Sequence, residues 1–501
     1  MSNKYYITTP IYYVNAAPHI GHSYTTIAAD VLSRFKRRQL GPEHVRFLTG
    51  TDEHGQKIQK AADAAKLSAQ AFVDQTSQKF RSLWQSLNVS YDDFIRTTEP
   101  RHIKVVQKSL EILFKKGDIY EGKYEGLYCT PCETFWLEAQ AIGGLCPDCQ
   151  RPVERIIETN YFFKLSKYQD WLLGFLKERP DFIKPASRYE ETLRFLELNK
   201  LNDLCISRPK ERLSWGIPLP FAPEHVTYVW FDALINYISA VGDFDSQDNY
   251  VSQWWPADLH LMAKDILRQH TVYWPIMLQA LNIKLPKAVF AHGWWMINED
   301  KMSKSRGNVV NPLEMIEKFG LDAYRYFLLR EVPFGLDGNF SEEGIIKRYN
   351  SDLANDLGNL VYRTLTMVEK YFDGNIPGID FSQLQNSQRV SDILAKIKHL
   401  ESRVCQALDE SNFSLALEAI WELIAMANKH VEETKPWNLA KENKQEELKE
   451  FIRLLVDVIR AVAGQLEIFI PQTALLIQEQ FKADKIKKGN PLFPRIETKK
   501  K

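Results

Sequence analysis

Apolar residues follow two rhythms along the chain, and the change between them divides it. Tyr5 to Asn15, rich in Tyr, Ile, Thr and Val, predicts a strand that passes through Pro18-His19-Ile20-Gly21-His22 into a helical pattern from Ser23 to Gln39. Val45 to Thr49 predicts a second strand. It runs through Gly50-Thr51-Asp52-Glu53-His54-Gly55 into a helix over Gln56 to Ala65. Strand–helix alternation builds a parallel sheet with functional loops at its carboxyl edge. Between Tyr120 and Pro220 the rhythm is lost to cysteines, glycines and short mixed segments, which reads as an insertion into the sheet. Alternation resumes with a strand over Val226 to Trp230, a helical stretch to Val241, the segment Leu259 to Leu281, and a strand from Ala288 to His292. From Asp352 onward the period is helical: Ser391 to Leu408, Ser414 to Glu433 and Gln445 to Gln480 carry 3.6-residue apolar spacing and predict a bundle.

Composition narrows the class. With 501 residues, 45% hydrophobic and 26% charged, the chain can bury a large core and exceeds one ordinary domain. No apolar run approaches the roughly 18 residues of a membrane span, and the N-terminus lacks a secretory or transit pattern, so no membrane and a cytoplasmic location are expected. Lys+Arg and Asp+Glu are equal at 64 each, which leaves any RNA-binding surface local. The tail from Lys482 to Lys501 holds eight Lys/Arg and reads as solvated, with phosphate contact as the alternative.

Four of six cysteines are grouped, Cys129-Thr130-Pro131-Cys132 and Cys146-Pro147-Asp148-Cys149, with 13 residues between the pairs; Cys205 and Cys405 stand alone. Two such knuckles set four thiolates around Zn²⁺ at about 2.3 Å, with free thiols or a redox pair as the alternative. Four filled positions leave none for water, which makes the metal structural.

His19-Ile20-Gly21-His22 lies where a strand gives way to a helix. Free helix-start N–H groups attract phosphate, glycine admits a nucleotide to the backbone, and imidazoles donate to phosphoryl oxygens. Surface or capping histidines are the plainer reading of four such residues. Lys301-Met302-Ser303-Lys304-Ser305 follows the late strand; its ammonium groups suit charge spreading over leaving pyrophosphate, and a solvated basic loop is the alternative. The two motifs, in this order and on the two halves of a split sheet, resemble class I aminoacyl-tRNA synthetases. Thr9-Pro10-Ile11-Tyr12-Tyr13-Val14-Asn15, Gly50 to Gly55, Tyr228-Val229-Trp230-Phe231-Asp232-Ala233 and the cysteine knuckles look like the methionyl-tRNA synthetase family, over the chain to about Ile496.

The resemblance implies a Rossmann-like parallel sheet split by a zinc-knuckle insertion and followed by an all-α bundle. The expected boundaries are 1–119 and 223–351 for the two halves of the catalytic domain, 120–222 for the insertion, 352–480 for the helical domain and 481–501 for the tail. It also implies methionine activation by ATP with Mg²⁺ and transfer to tRNA(Met); one structural Zn²⁺ per chain and a monomer are expected beside it. His19, His22, Lys301 and Lys304 become the catalytic set, with Gly21, Ser303 and Asp265 also binding ATP. Asp52 pairs with the methionine ammonium. Ile11, Tyr13, Trp230, Ala233, Tyr237 and His292 wall the thioether, positions that core packing would otherwise explain. Asn359, Arg363 and Trp437 read the anticodon; without the resemblance they are a solvated pair and a packed indole. Two positions depart from the family pattern: Ala263 before Lys264-Asp265 and Glu299 before Lys301, where the family has glycine.

Overall fold

The computed structural model describes residues 4–129, 134–136, 141–147, 149–297, 300–301, 310–383, 387–483 and 485–497. The chain forms two compact units, Met1–Pro18 with Lys36–His292, and His19–Phe35 with Gly293–Lys501.

The first unit is organised by six parallel strands: β1 (Tyr5–Tyr13), β2 (Val45–Asp52), β3 (Asp93–Arg96), β4 (Ile183–Lys184), β5 (Leu259–Ala263) and β6 (Val289–His292), in the order β3-β2-β1-β5-β6-β4. All four residues of β6 are buried, as expected where both faces of a parallel sheet are covered. The carboxyl ends Tyr13, Asp52, Arg96, Ala263 and His292 share one edge. Strand order reverses between β1 and β5, the switch point at which open α/β sheets form their crevice. On β1 the ladder to β2 shifts register between Thr8 and Ile11, around Pro10, which has no N–H to donate.

β2 runs three residues past its predicted end. Gly50-Thr51-Asp52 has the composition of a turn, yet Gly50 pairs with Ile11 and Asp52 with Tyr13. Gly50 is needed for close approach, since a Cβ there would meet the Ile95 carbonyl oxygen at 2.1 Å.

Two further expectations change. Val226 to Trp230 is not a strand of the parallel sheet: Ala222–Thr227 pairs antiparallel with Ser207–Pro209 and Pro218–Leu219, and a helix begins at Val229. A short apolar run does not distinguish strand from buried helix, and the helix took the second half. The insertion also returns a strand to the main sheet, because β4 lies inside it and pairs with β6. The rest of the insertion carries a four-stranded antiparallel sheet, in which Ile119–Cys129 pairs with Glu154–Phe163 and ends at the first cysteine.

The helix after β1, α1 (Ile20–Leu40), begins three residues earlier than predicted, so Gly21 and His22 lie in its first turn. The helices flanking the sheet edge include α2 (Gln56–Ala64), α3 (Pro100–Lys115) and α4 (Val229–Ser239).

The second unit is mainly helical: α5 (Asn359–Phe372), α6 (Gln388–Asp409), α7 (Phe413–Thr434), α8 (Gln445–Leu466) and α9 (Pro471–Gln480). The predicted helix over Gln445 to Gln480 is two, since Pro471 has no N–H for a continuing helix and opens a new one. Within this unit Arg325 and Asp30 form a fully buried ion pair at 2.7 Å, and Arg325 Nε donates to the Phe469 carbonyl at 2.8 Å. These bonds tie α1 to the helix Leu321–Arg330 and to the α8–α9 corner, and they satisfy charges whose burial alone would be costly.

Among the described residues the tail is anchored at several points, while Lys482, Lys485, Lys487 and Arg495 stay exposed to solvent as expected. The Ile486 N–H donates to Gly374, Lys488 sits 4.3 Å from the Tyr362 ring centroid, Phe493 packs edge-on against Tyr349, and the Ile496 N–H donates to Asn350 Oδ1. Apolar residues spaced among the lysines anchor it; counting charge hid them.

Candidate active site and metal cluster

At the carboxyl edge of the first unit, buried Asp52 closes β2 beside Tyr13. The two residues after Asp52 are tightly held. Glu53 accepts from Thr51 and Thr98 hydroxyls and from Arg96 Nε at 2.7 Å, and its N–H donates to Thr97 Oγ1. His54 Nδ1 lies 2.6 Å from Asp232 Oδ2, and its ring tilts against Trp215, whose Nε1–H donates to the Glu53 carbonyl at 2.5 Å.

Helix α4 brings Trp230, Ala233 and Tyr237 to one face, because positions i, i+3 and i+7 align on a helix. Ala233 and Tyr237 are buried and Trp230 is half-buried. Tyr237 O–H donates to His270 Nε2 at 2.7 Å, and His270 Nδ1–H donates to the Ile266 carbonyl at 2.9 Å. Burial pushes the Tyr237 hydroxyl up, and it pulls His270 down to about 4 against the raising influence of the Ile266 carbonyl and Asp265. Ile11 is half-buried on β1, and His292 closes β6 opposite Ala263. Asp265 is exposed on the turn after β5. Ala263 has φ −80° and ψ 153°, extended backbone open to any L-residue, so the missing glycine imposes no strain.

The opposite side of α4 carries Asp232, which is fully buried. Burial raises this carboxyl, but His54 and His102 outweigh it and bring the group down to about 2. His102 Nε2 lies 2.7 Å from Asp232 Oδ1, and its Nδ1 lies 2.8 Å from Ser239 Oγ.

In the second unit, the His19 and His22 rings stack at 3.8 Å across the start of α1. The Gly21 N–H donates to His19 Nδ1 at 3.1 Å and the His19 N–H to His22 Nδ1 at 3.0 Å. With both Nδ1 atoms accepting, each Nε2 carries the proton, so both rings are Nε2–H donors. This is the form that can bond a phosphoryl oxygen. Lys301 ends the strand Asp300–Lys301, paired with Met296. The Lys301 side chain, Ser303, Lys304 and Glu299 lie outside the described residues.

Also in this unit, Asn359 and Arg363 are half-buried one turn apart on α5, which follows directly from π-helical turns over Tyr349–Gly358. Trp437 is 42% exposed, so it is not a packed core indole.

In the insertion, the sulfurs of Cys129, Cys146 and Cys149 all lie within 4.8 Å of one another and could hold a metal ion. Cys129 Sγ and Cys149 Sγ are 3.5 Å apart, near the roughly 3.8 Å that separates thiolates bound tetrahedrally at about 2.3 Å from zinc. The second knuckle is closed by Gln150 N–H donating to the Cys146 carbonyl and Cys146 N–H to Arg151. Cys132 lies outside the described residues.

The family described as class I (M) tRNA synthetases matches residues 5–159 and 151–365. The methionine–tRNA ligases of Caldanaerobacter subterraneus subsp. tengcongensis and Clostridium acetobutylicum are each 48% identical, over 100% and 99% of this chain and 80% and 79% of their own length. The chain belongs to the methionine–tRNA ligases, within the class I tRNA synthetases. Among solved structures, Mycobacterium tuberculosis methionyl-tRNA synthetase in complex with methionyl-adenylate has TM-score 0.90 and 40% identity, covering 98% of this chain and 100% of that one.

His270, hydrogen-bonded to Tyr237, was not among the residues the sequence singled out. Its signal was a histidine five positions after Asp265 in an apolar segment, which by itself points to core. Trp230 and Asp265 also line a cavity of about 1280 Å³ in the first unit, together with Tyr228 and Arg268.

Proposed function

We infer that this protein activates L-methionine with ATP to methionyl-adenylate and pyrophosphate, then transfers methionine to the 3′-terminal ribose of tRNA(Met). The observation carrying this reading is the 48% identity to methionine–tRNA ligases over the whole chain. Activation is attack of the methionine carboxylate on the α-phosphate, so no protein nucleophile is required. The side chains act by positioning and by stabilising charge.

In this reading Asp52 pairs with the ammonium group. Ile11, Tyr13, Trp230, Ala233, Tyr237 and His292 enclose the unbranched thioether, and the Tyr237–His270 hydrogen bond favours adding His270 to them. His19 and His22 donate from Nε2 to phosphate, Gly21 admits the nucleotide to the backbone, and Asp265 meets the ribose. Lys301, Ser303 and Lys304 attend the leaving pyrophosphate, whose charge Mg²⁺ helps to neutralise. Cys129, Cys132, Cys146 and Cys149 hold one Zn²⁺, which with four thiolates has no open position and acts structurally. Asn359, Arg363 and Trp437 bind the anticodon. Catalytic halves at 1–119 and 223–351, an insertion at 120–222, a helical domain at 352–480 and a tail at 481–501 remain the assigned layout. The enzyme works in the cytoplasm as a monomer; among the described residues no helix is long and apolar enough to cross a membrane.

ATP–pyrophosphate exchange with each amino acid in turn tests the reading. Exchange should depend on methionine. Homocysteine, one methyl group shorter, should be accepted more weakly by roughly 10- to 200-fold, since a hydrophobic pocket discriminates one methylene by about 1–3 kcal/mol. Exchange driven by valine, isoleucine or leucine instead would overturn it.

A further inference from the structure

Helix α4 has two working sides. One carries Trp230, Ala233 and Tyr237. The other carries Asp232 and Ser239, and both of these bond to His102 on α3. Asp232 bonds in addition to His54, two residues beyond Asp52 on the loop that leaves β2. An ionised carboxylate only accepts, so His54 Nδ1 and His102 Nε2 each donate their proton to a different Asp232 oxygen. Neutral His102 then accepts at Nδ1 from the Ser239 hydroxyl, whose single proton is shared with the Asn236 carbonyl 3.3 Å away. All four side chains are at least nine-tenths buried, and every oxygen of the carboxylate points at an imidazole. Bonds of this charge-assisted kind, shielded from water, hold their geometry more strictly than packing between apolar side chains does.

We propose that Asp232 is a positioning residue that clamps α4 to the end of β2, setting the separation between the carboxylate that binds the methionine ammonium and the helix face that encloses its side chain. This rests on the assignment of Asp52, Trp230, Ala233 and Tyr237 to methionine. Asp232 does not touch substrate. It acts through His54 on the Asp52 side and through its own helix on the other, with His102 and Ser239 as the third anchor. A zwitterionic amino acid with an unbranched side chain must satisfy both halves at once, so their spacing determines how much of each interaction is realised.

The test is pyrophosphate exchange with separate KM values for methionine and ATP. Asp232→Ala removes both acceptors and should raise the methionine KM at least about 10-fold while the ATP KM stays within about 2-fold, because only one ligand is held across the clamp. Asp232→Asn keeps both bonds if His102 switches tautomer: the amide oxygen accepts from His54, the amide N–H donates to His102 Nε2, and His102 Nδ1–H donates to Ser239. It should stay within about 3-fold of the parent, which separates geometry from charge. His102→Leu removes a donor and should move the methionine KM in the direction of Asp232→Ala, while His102→Gln, whose amide nitrogen reaches as far as Nε2, should restore it. If Asp232→Ala does not fold, the His102 pair decides alone. Equal losses for ATP and methionine, or an unchanged methionine KM in His102→Leu, overturn the clamp. Asp52→Ala measured in parallel separates the two levels: a methionine KM raised by Asp52→Ala but not by the clamp variants sinks the clamp alone. An unchanged methionine KM in Asp52→Ala sinks the assignment beneath it.

Discussion

Single residues here are specified by which atoms are already engaged. His19 and His22 are donors at Nε2 because their Nδ1 atoms accept backbone N–H groups. His270 is held neutral by burial, with its ring between Tyr237 and the Ile266 carbonyl. This imposes a pH dependence. Its folded value lies near 4 against the ordinary 6.5, so between those limits the unfolded chain binds the proton and the folded one does not. The stabilisation is complete above about pH 6.5 and is lost as pH falls toward 4, a change on the order of 3 kcal/mol for a buried imidazole. His260, pulled well below its ordinary value by burial and by His270, adds in the same direction. Asp232, brought down to about 2 from an ordinary 3.8, adds to the fall only as the unfolded carboxyl takes up its proton near pH 4, below the range tested. Urea unfolding at pH 7, 6 and 5 should show stability falling, with a shallower fall in His270→Gln. An identical slope in that variant would mean that His270 is protonated in the folded protein.

Elements differ in how openly the chain declares them. The cysteine knuckles are explicit: cysteines three apart within each pair stay close in any surrounding structure, and the sulfurs of Cys129, Cys146 and Cys149 converge. If the knuckles hold one zinc as proposed, Cys146→Ser should abolish it, since that sulfur lies at the start of the second knuckle, and should loosen the insertion around it. Metal analysis by mass spectrometry and hydrogen exchange across 119–163 check this; a Cys146→Ser protein that keeps its zinc contradicts the assignment. β2 and α1 were visible in the apolar pattern, but their ends were not. β2 continued through a turn-like Gly-Thr-Asp because its neighbours supplied a ladder, and α1 took in the histidine motif because His19 capped it with its own ring. β4 was not visible at all. A two-residue strand has no period, and only β6 beside it makes Ile183–Lys184 a strand.

At the scale of the molecule the chemistry is divided. Residues assigned to methionine lie in one compact unit, whereas the histidine motif and the residues assigned to the anticodon lie in the other. Trp437 belongs to a short helix, Pro436–Lys441, and its exposure suits stacking on a splayed base. If it stacks, Trp437→Ala should remove about 1–3 kcal/mol at that base, lowering kcat/KM for tRNA roughly 10- to 100-fold. Pyrophosphate exchange should be nearly unaffected, and the variant should discriminate less against a tRNA with an altered anticodon. Equal loss in both reactions would instead mark Trp437 as structural.

What the chain determined by itself was chemistry carried by close neighbours. A strand end, a histidine pair three apart, a lysine loop and two cysteine pairs are local patterns whose meaning does not depend on distant partners. They were enough for the family, the parallel sheet and the helical second half. What only the tertiary structure decided was every role created by residues far apart in sequence. Asp232 meets His54 across 178 positions and His102 across 130, Tyr237 finds His270 across 33, and the basic tail finds Asn350 across 146. No spacing rule links such pairs, because the chain between them must fold before either atom has a partner. Buried polar groups must be satisfied, but which groups satisfy them is chosen by the packing of the sheet and its helices.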